Sequence, residues 1–148
     1  MIKIDYFLAQ RPACNEDRNG DFCVIKKLNG QLFVGIVDVS GHGDSAYKIA
    51  AACKKFLEKN YRKDLVFLTQ ALHKGMLKPR GGVATLARLD FKTGELRYVG
   101  VGNIAVRKFG KHCERAILQD GVVGYIMPSP KENTMKLDDG DAGEISDL

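Results

Sequence analysis

Asp38 is the residue with the clearest chemical potential, because it ends an apolar run that should be buried. It stands in the segment VDVSGHGDSA, where Gly41 and Gly43 flank His42 and a helix-like segment follows. A carboxylate at such a strand end costs free energy unless it is paired or binds a cation. The glycines let the main chain turn carbonyl oxygens toward one point. Alternatively, Asp38 only accepts hydrogen bonds from main-chain N–H groups in the turn.

A predicted hairpin brings a second carboxylate to Asp38. Asn29-Gly30 lies between two apolar runs, and Asn-Gly is the strongest short signal for a two-residue hairpin turn. Counting outward from this turn places Asp21 directly opposite Asp38 on the adjacent strand. Two carboxylates in that position repel each other unless a cation lies between them. The pattern therefore favours a cation site, provided that no β-bulge shifts the pairing.

The chemistry around Asp38 indicates which cation would bind. A helix is predicted to begin directly after the glycines, capped by Asp44 or Ser45, and its first N–H groups favour anions. Mg²⁺ and Mn²⁺ take oxygen ligands, often one or two carboxylates together with water. The segment is therefore typical of a hard divalent cation bound together with a phosphate group.

The elements that position these residues change in type along the chain. Two hairpin strands precede two amphipathic helices, the second opened by Asp64, and strands return from Gly82 onward. Short strands are expected in MIKIDYFLAQ, IAVRKFG and RAILQ, whereas the acidic stretch LDDGDAGEISDL is expected to be a loop or a frayed end. Helices segregated from antiparallel hairpins predict an α+β sandwich. The predicted apolar helix faces comprise Ala46, Ile49, Ala50, Cys53 and Leu57, and then Leu65, Leu68, Leu72 and Met76.

Composition excludes several classes of protein. The 148 residues, 45% hydrophobic and 28% charged, suit a single globular domain over residues 1–148. No run approaches the ~20 apolar residues of a membrane span, so no membrane partner is expected. The four cysteines show no metal-binding spacing, which favours a reducing cytoplasm.

The net charge of +5 raises nucleic acid as a partner, with a lysine-rich cluster on the first predicted helix. A solvated helix surface explains that cluster better, because no aromatic residues are interleaved with the charges. The carboxylates near Asp38 also oppose nucleic acid, so no nucleic-acid partner is expected.

Three sequence blocks in order resemble one family. GDF, then VDVSGHG, then RGGVATLARLDFKTGELRYVGVGN are similar to motifs of the metal-dependent type 2C (PPM superfamily) serine/threonine phosphatases. Within that family the chain looks most like the bacterial branch of the stage II E sporulation phosphatase and the small stand-alone phosphatases of the stressosome. The resemblance covers most of residues 14–110. It implies a sandwich of two antiparallel β-sheets flanked by helices.

The resemblance also implies an activity and a ligand set. The family hydrolyses phosphoserine and phosphothreonine with two divalent metals, Mn²⁺ or Mg²⁺, that share a hydroxide. By its motifs, Asp21 is a metal ligand, Asp38 bridges both metals, and Val39 contributes its main-chain carbonyl. His42 would act as a general acid toward the leaving serine oxygen, or it belongs only to the turn. The implied partner is a phosphorylated signalling protein, a STAS-domain protein of the stressosome.

Other polar residues have weaker assignments. NEDR offers Glu16 and Asp17 as an alternative acidic motif, but the hairpin favours Asp21. Arg11, Arg18 and Arg80 are candidates for phosphate contact, with solvated surface positions as the alternative. Asn103 stands where relatives carry histidine, and turn chemistry explains it.

The C-terminal part departs from the family pattern. The family places a metal-binding Asp after a later apolar strand, and AGEIS before Asp147 is too polar for a buried strand. Asp138 and Asp139 come too early for the family's last acidic pair. The C-terminal part of the domain is therefore expected to be incomplete. The alternative function is a catalytically degenerate module that binds a phosphoprotein without hydrolysing it.

Overall fold

The computed structural model describes residues 5, 7–8, 20–41, 44–76 and 81–146. Within these ranges the strands and helices follow the order expected for an α+β protein. None of the helices there is long and apolar enough to cross a membrane. The elements are β1 (Asp21–Leu28), β2 (Gln31–Val39), α1 (Asp44–Asn60), α2 (Leu65–Met76), β3 (Gly82–Asp90), β4 (Glu95–Val101), β5 (Ala105–Phe109), β6 (Glu114–Arg115), β7 (Asn133–Lys136) and β8 (Ala142–Ser146).

The predicted hairpin of β1 and β2 is confirmed. Gly30 has a φ of 71°, a conformation that glycine adopts without steric cost. Leu28 pairs with Gln31 next to the turn, and the pairing continues without a bulge to the far end of both strands. A two-residue turn therefore fixes which residues meet at that end.

The strands form two antiparallel sheets. One sheet has five strands in the order β1-β2-β3-β4-β7, and the other has three in the order β6-β5-β8. One face of the five-stranded sheet packs against α1 and α2, with Phe33, Val37 and Leu86 in that core. The opposite face packs against the smaller sheet through residues such as Leu96, Val106 and Ile145. The predicted sandwich of two antiparallel sheets is confirmed, with both described helices on the same side.

The helices form for the reasons read from the sequence. Asp64 caps α2, because its carboxylate accepts a hydrogen bond of 3.1 Å from the Phe67 N–H group. The predicted apolar faces point into the core, and only Ile49 among those residues is partly exposed. These two faces hold α1 and α2 against the sheet that carries Asp21 and Asp38.

Three predictions about strands were wrong or incomplete. The stretch expected to be a C-terminal loop contains β8, which pairs with β5 as an edge strand and leaves Ala142, Gly143 and Glu144 exposed. An edge strand tolerates polar residues because only part of it is buried. RAILQ is not a strand beyond Arg115, and β7 was not predicted. The strand expected in MIKIDYFLAQ falls mostly outside the described residues.

Candidate metal centre

Asp21 and Asp38 lie directly opposite each other across the β1–β2 hairpin, as the turn predicted. Both side chains are half-buried. Cross-strand neighbours have Cβ atoms roughly 4.5–5.5 Å apart, which brings two carboxylates within reach of one cation. Their opposition is confirmed, whereas their role as metal ligands stays a prediction.

A main-chain carbonyl oxygen lies beside this pair. The Val39 N–H group donates a hydrogen bond of 3.2 Å to the Gly20 carbonyl, so Val39 faces the residue that precedes Asp21. A Cβ atom at position 20 would lie 3.0 Å from the Val39 carbonyl oxygen and 3.6 Å from that of Gly41. The glycine therefore leaves space where these oxygens converge. An all-oxygen donor set of this kind fits Mg²⁺ or Mn²⁺.

The strand end that carries Asp38 is tightly packed. Gly82 pairs with Val39, and a Cβ atom at position 82 would collide with the main-chain oxygen of Asp38. Ser40 is also fixed, because its N–H group donates a hydrogen bond of 2.7 Å to the Gly81 carbonyl. This role of Gly81 and Gly82 was not predicted from the sequence, although a double glycine at the start of a strand is a signal of close backbone approach.

The carboxylates continue two rows of side chains that face the smaller sheet. Cys23 and Ile25 follow Asp21 on β1, and Ile36 and Val34 precede Asp38 on β2. These apolar side chains line a cavity of about 400 Å³ between the sheets. The carboxylates thus lie at the end of the sheet, next to this apolar interior. The low dielectric constant of such surroundings strengthens their attraction for a cation.

The acidic residues at the other side of this cavity belong to the turn before β8. Asp138, Asp139 and Asp141 line it, and an Asp141 carboxylate oxygen accepts a hydrogen bond of 2.9 Å from the Asp138 N–H group. Asn103 is exposed and follows Gly102, whose φ is 103°, so the position fits turn chemistry.

Several predicted residues fall outside the described part of the chain. The described residues contain no group of three or more His, Cys, Asp or Glu side chains that could hold a metal ion. The two carboxylates and the carbonyl are therefore the candidate ligands within the described part of the chain. The residues outside it are Arg11, Glu16, Asp17, Arg18, His42, Arg80 and Asp147.

Comparison with known proteins identifies a related phosphatase by sequence. The chain is 26% identical over 85 residues to the phosphoserine phosphatase RsbX of Bacillus subtilis (strain 168). This match covers 57% of the chain and 43% of RsbX, so it spans less than half the length of that relative. No family model matches the sequence.

Solved structures match over a larger part of the chain. A protein solved in a study of the bacterial stressosome, a modular system adapted to control secondary messenger signalling, is 30% identical, with a TM-score of 0.83. The match covers 93% of this chain and 73% of that one. RsbX in complex with magnesium gives a TM-score of 0.84 at 20% identity, over 98% of this chain and 77% of the other.

A further match places the fold in a named class. The PP2C phosphatase domain of the cell fate determinant SpoIIE from Bacillus subtilis has a TM-score of 0.73 at 17% identity, covering 90% of this chain and 42% of that one. The two-sheet architecture and the opposed aspartates agree with the motifs that suggested this class. The chain therefore has the fold of the SpoIIE PP2C phosphatase domain and of RsbX, and it is similar in sequence to the phosphoserine phosphatase RsbX.

Proposed function

We propose that this protein is a metal-dependent phosphatase that hydrolyses phosphoserine and phosphothreonine on a signalling protein. The observation that carries the proposal is the opposition of Asp21 and Asp38 at the end of an unbulged hairpin, beside the Val39 carbonyl. The family resemblance supports it independently, since similar proteins include a phosphoserine phosphatase.

Each candidate residue has a proposed role in metal binding or proton transfer. Two bound divalent ions, Mn²⁺ or Mg²⁺, would supply a hydroxide at neutral pH and offset the negative charge of the phosphate. Asp38 would contact both ions, while Asp21 and the Val39 carbonyl would each hold one. The structure of RsbX with magnesium supports a divalent metal of this type. His42 is the proposed proton donor to the serine oxygen that leaves.

The proposed partner is a phosphorylated STAS-domain protein of a stressosome. This proposal is supported by the similarity to RsbX and to a protein solved in work on the bacterial stressosome. We also place the reaction in the cytoplasm, where thiols stay reduced. Cys23, Cys53 and Cys113 are free thiols, which suits that compartment.

The second candidate is a phosphoprotein-binding module without turnover. It is favoured by one observation, namely that the described residues present only two carboxylates at the centre. Such a module would bind a phosphorylated partner and release no phosphate even with added Mn²⁺. The strand β8 weakens this candidate, because the polar segment before Asp147 is a strand and not the loop that its composition predicted.

A metal-titrated assay separates the two candidates. Phosphate release from serine-phosphorylated STAS-domain proteins and from p-nitrophenyl phosphate is followed while Mn²⁺ or Mg²⁺ is added to chelator-treated protein. The phosphatase predicts release that depends on metal and disappears in Asp38→Asn. Release that persists in excess chelator would contradict the proposal, whereas tight binding without release would support the module.

A further inference from the structure

The turn formed by residues 122–126, called here the apolar turn, carries two adjacent exposed apolar side chains. Tyr125 is 73% exposed and Ile126 is 67% exposed. Val123, in contrast, is fully buried in the core beneath α2. The turn is thus anchored by one residue and presents the next two apolar residues to the outside. The two side chains therefore present adjacent apolar surface that a small apolar group of a partner would bury.

Hydrogen bonds hold the apolar turn in one conformation. The Val122 N–H group donates to the Ile126 carbonyl at 2.6 Å, and the Tyr125 N–H group donates to the Val122 carbonyl at 3.1 Å. From α2, the His73 Nδ1 atom accepts a hydrogen bond of 2.7 Å from the Gly124 N–H group. The exposure of Tyr125 and Ile126 is therefore a property of a fixed turn.

Close packing against α2 explains why glycine occupies position 124. Its φ is 86°, and a Cβ atom there would lie 2.5 Å from the Met76 Cβ atom. A larger residue would push the turn away from the helix. The fixed conformation therefore depends on this glycine as well as on the hydrogen bonds.

The apolar turn is joined to the strand ends that carry the candidate metal centre. Gly82 and Val123 exchange two main-chain hydrogen bonds, of 2.9 and 2.8 Å. On its other side Gly82 pairs with Val39, next to Asp38. Two strand spacings therefore separate Val123 from β2, which is roughly 10 Å. The exposed side chains lie at the same end of the sheet as the aspartates.

We propose that Tyr125 and Ile126 form a docking site for an apolar side chain of the phosphorylated substrate. The inference rests on the proposed function and adds a specificity determinant to it. An extended chain advances roughly 3.3–3.6 Å per residue, so three to four residues span about 10–14 Å. The occupant is therefore an extended segment with an apolar residue three or four positions from the phosphoserine.

The position of the apolar turn favours substrate over other occupants. A segment that places phosphoserine at Asp38 and runs across this end of the sheet reaches the apolar turn, because Ser40 bonds to Gly81 and a Cβ atom at position 81 would lie 3.7 Å from the Tyr125 Cβ atom. A second copy of the chain is disfavoured, because two side chains bury far less than the roughly 1,200 Å² of a stable interface. A substrate segment needs only a small contact, since the phosphate supplies the rest of the affinity.

Peptide hydrolysis tests the docking site without knowledge of the natural partner. The probes are serine-phosphorylated peptides that differ only by Leu, Ala or Asp at one of five positions on either side of phosphoserine. The kcat/KM of each is measured with Mn²⁺, beside p-nitrophenyl phosphate. A Leu placed three or four residues from the phosphoserine, on one side of it, is expected to raise kcat/KM about five- to tenfold relative to Ala or Asp. The gain should come mainly from a lower KM.

The variant Tyr125→Ser/Ile126→Ser is expected to lose this preference while its activity on p-nitrophenyl phosphate stays unchanged. Ile117→Ser is the matched control, because Ile117 is 75% exposed and lies outside the apolar turn. Thermal melts establish that all variants are folded. Equal kcat/KM of the wild type for all peptides, or a preference that survives in the double variant, would overturn the inference.

Failure of the proposed function gives a different result. In that case the wild type hydrolyses neither p-nitrophenyl phosphate nor any peptide at any Mn²⁺ concentration, and the docking inference is rejected together with the activity. Activity on p-nitrophenyl phosphate with no peptide preference rejects the docking site alone.

Discussion

Gly82 packs directly against the main-chain carbonyl of Asp38, where a Cβ atom would collide with the carbonyl oxygen. The obstacle is backbone in the middle of a paired strand, so it cannot rotate away as a flexible side chain would. We expect Gly82→Ala to lower the free energy of unfolding by about 1–3 kcal/mol, the usual cost of overpacking. Thermal or urea denaturation of metal-free protein measures this loss.

Gly75→Ala is the matched control for that substitution. Gly75 lies in α2, and a Cβ atom there would meet nothing within 4 Å. Alanine in an exposed helix position is about 0.5–1 kcal/mol more favourable than glycine, so this variant should be more stable than the wild type. A Gly82→Ala protein as stable as the wild type would show that β3 can move away from Asp38.

Asp38→Asn should uncouple folding from metal binding. In the wild type, a divalent ion that binds only the folded state at a hundred times its Kd adds about 2.7 kcal/mol of stability. For a domain of this size that corresponds to a rise in Tm of roughly 5–10 °C. The variant should lose most of this rise, and its metal-free form should be at least as stable, because a repulsive carboxylate pair is removed.

Glu58→Gln is the control for removing one negative charge. Glu58 forms a surface ion pair of 3.7 Å with Lys26, and such pairs contribute little. This variant should keep the full metal-dependent rise in Tm. An equal rise in Asp38→Asn, measured by differential scanning calorimetry, would remove Asp38 from the ligand set.

The hairpin that carries the aspartates could be predicted because its information is local. Asn29-Gly30 selects a two-residue turn, and the period of two along each strand then determines every partner out to Asp21 and Asp38. Likewise, α2 could be predicted because Asp64 caps its first turn and the leucines that follow recur at helical spacing. These features depend on neighbours within a few residues.

The C-terminal strands could not be predicted because their stability comes from distant partners. β8 is rich in polar and small residues, yet it pairs with all of β5 from Ala105 to Phe109. β7 similarly depends on pairing with β4. Edge positions relax the requirement for apolar residues, so composition alone misclassified the segment before Asp147 as a loop.

Cysteine reactivity should report which thiols the fold buries. Burial raises the pKa of Cys53 to about 11, and it raises that of Cys23 to about 11 although the charge of Lys54 acts in the opposite direction. At pH 8 only about one such thiol in a thousand is ionised, and the thiolate is the reactive form. In a Cys14→Ser background we expect iodoacetamide to modify the exposed Cys113 at least ~10-fold faster, measured by mass spectrometry of peptides.

The rate of labelling at the buried cysteines should also depend on pH. Since the pKa values of Cys23 and Cys53 are raised, their modification should accelerate as the pH rises from 8 toward 10. Equal rates at the three cysteines in folded protein would contradict the burial of Cys53 on the inner face of α1. Unfolding in urea should remove the difference between them.

His73→Ala should loosen the apolar turn without disturbing the aspartates. The His73 Nδ1 atom accepts the hydrogen bond of the Gly124 N–H group, and a net loss of about 0.5–1.5 kcal/mol follows when such a bond is removed. Local opening should then become roughly 2- to 10-fold more frequent. Hydrogen exchange at the Gly124 amide measures this, with the exposed neighbour Lys74→Ala as the control. Unchanged exchange in His73→Ala would mean that the main-chain hydrogen bonds and the packing of Gly124 against Met76 hold the turn in place without His73.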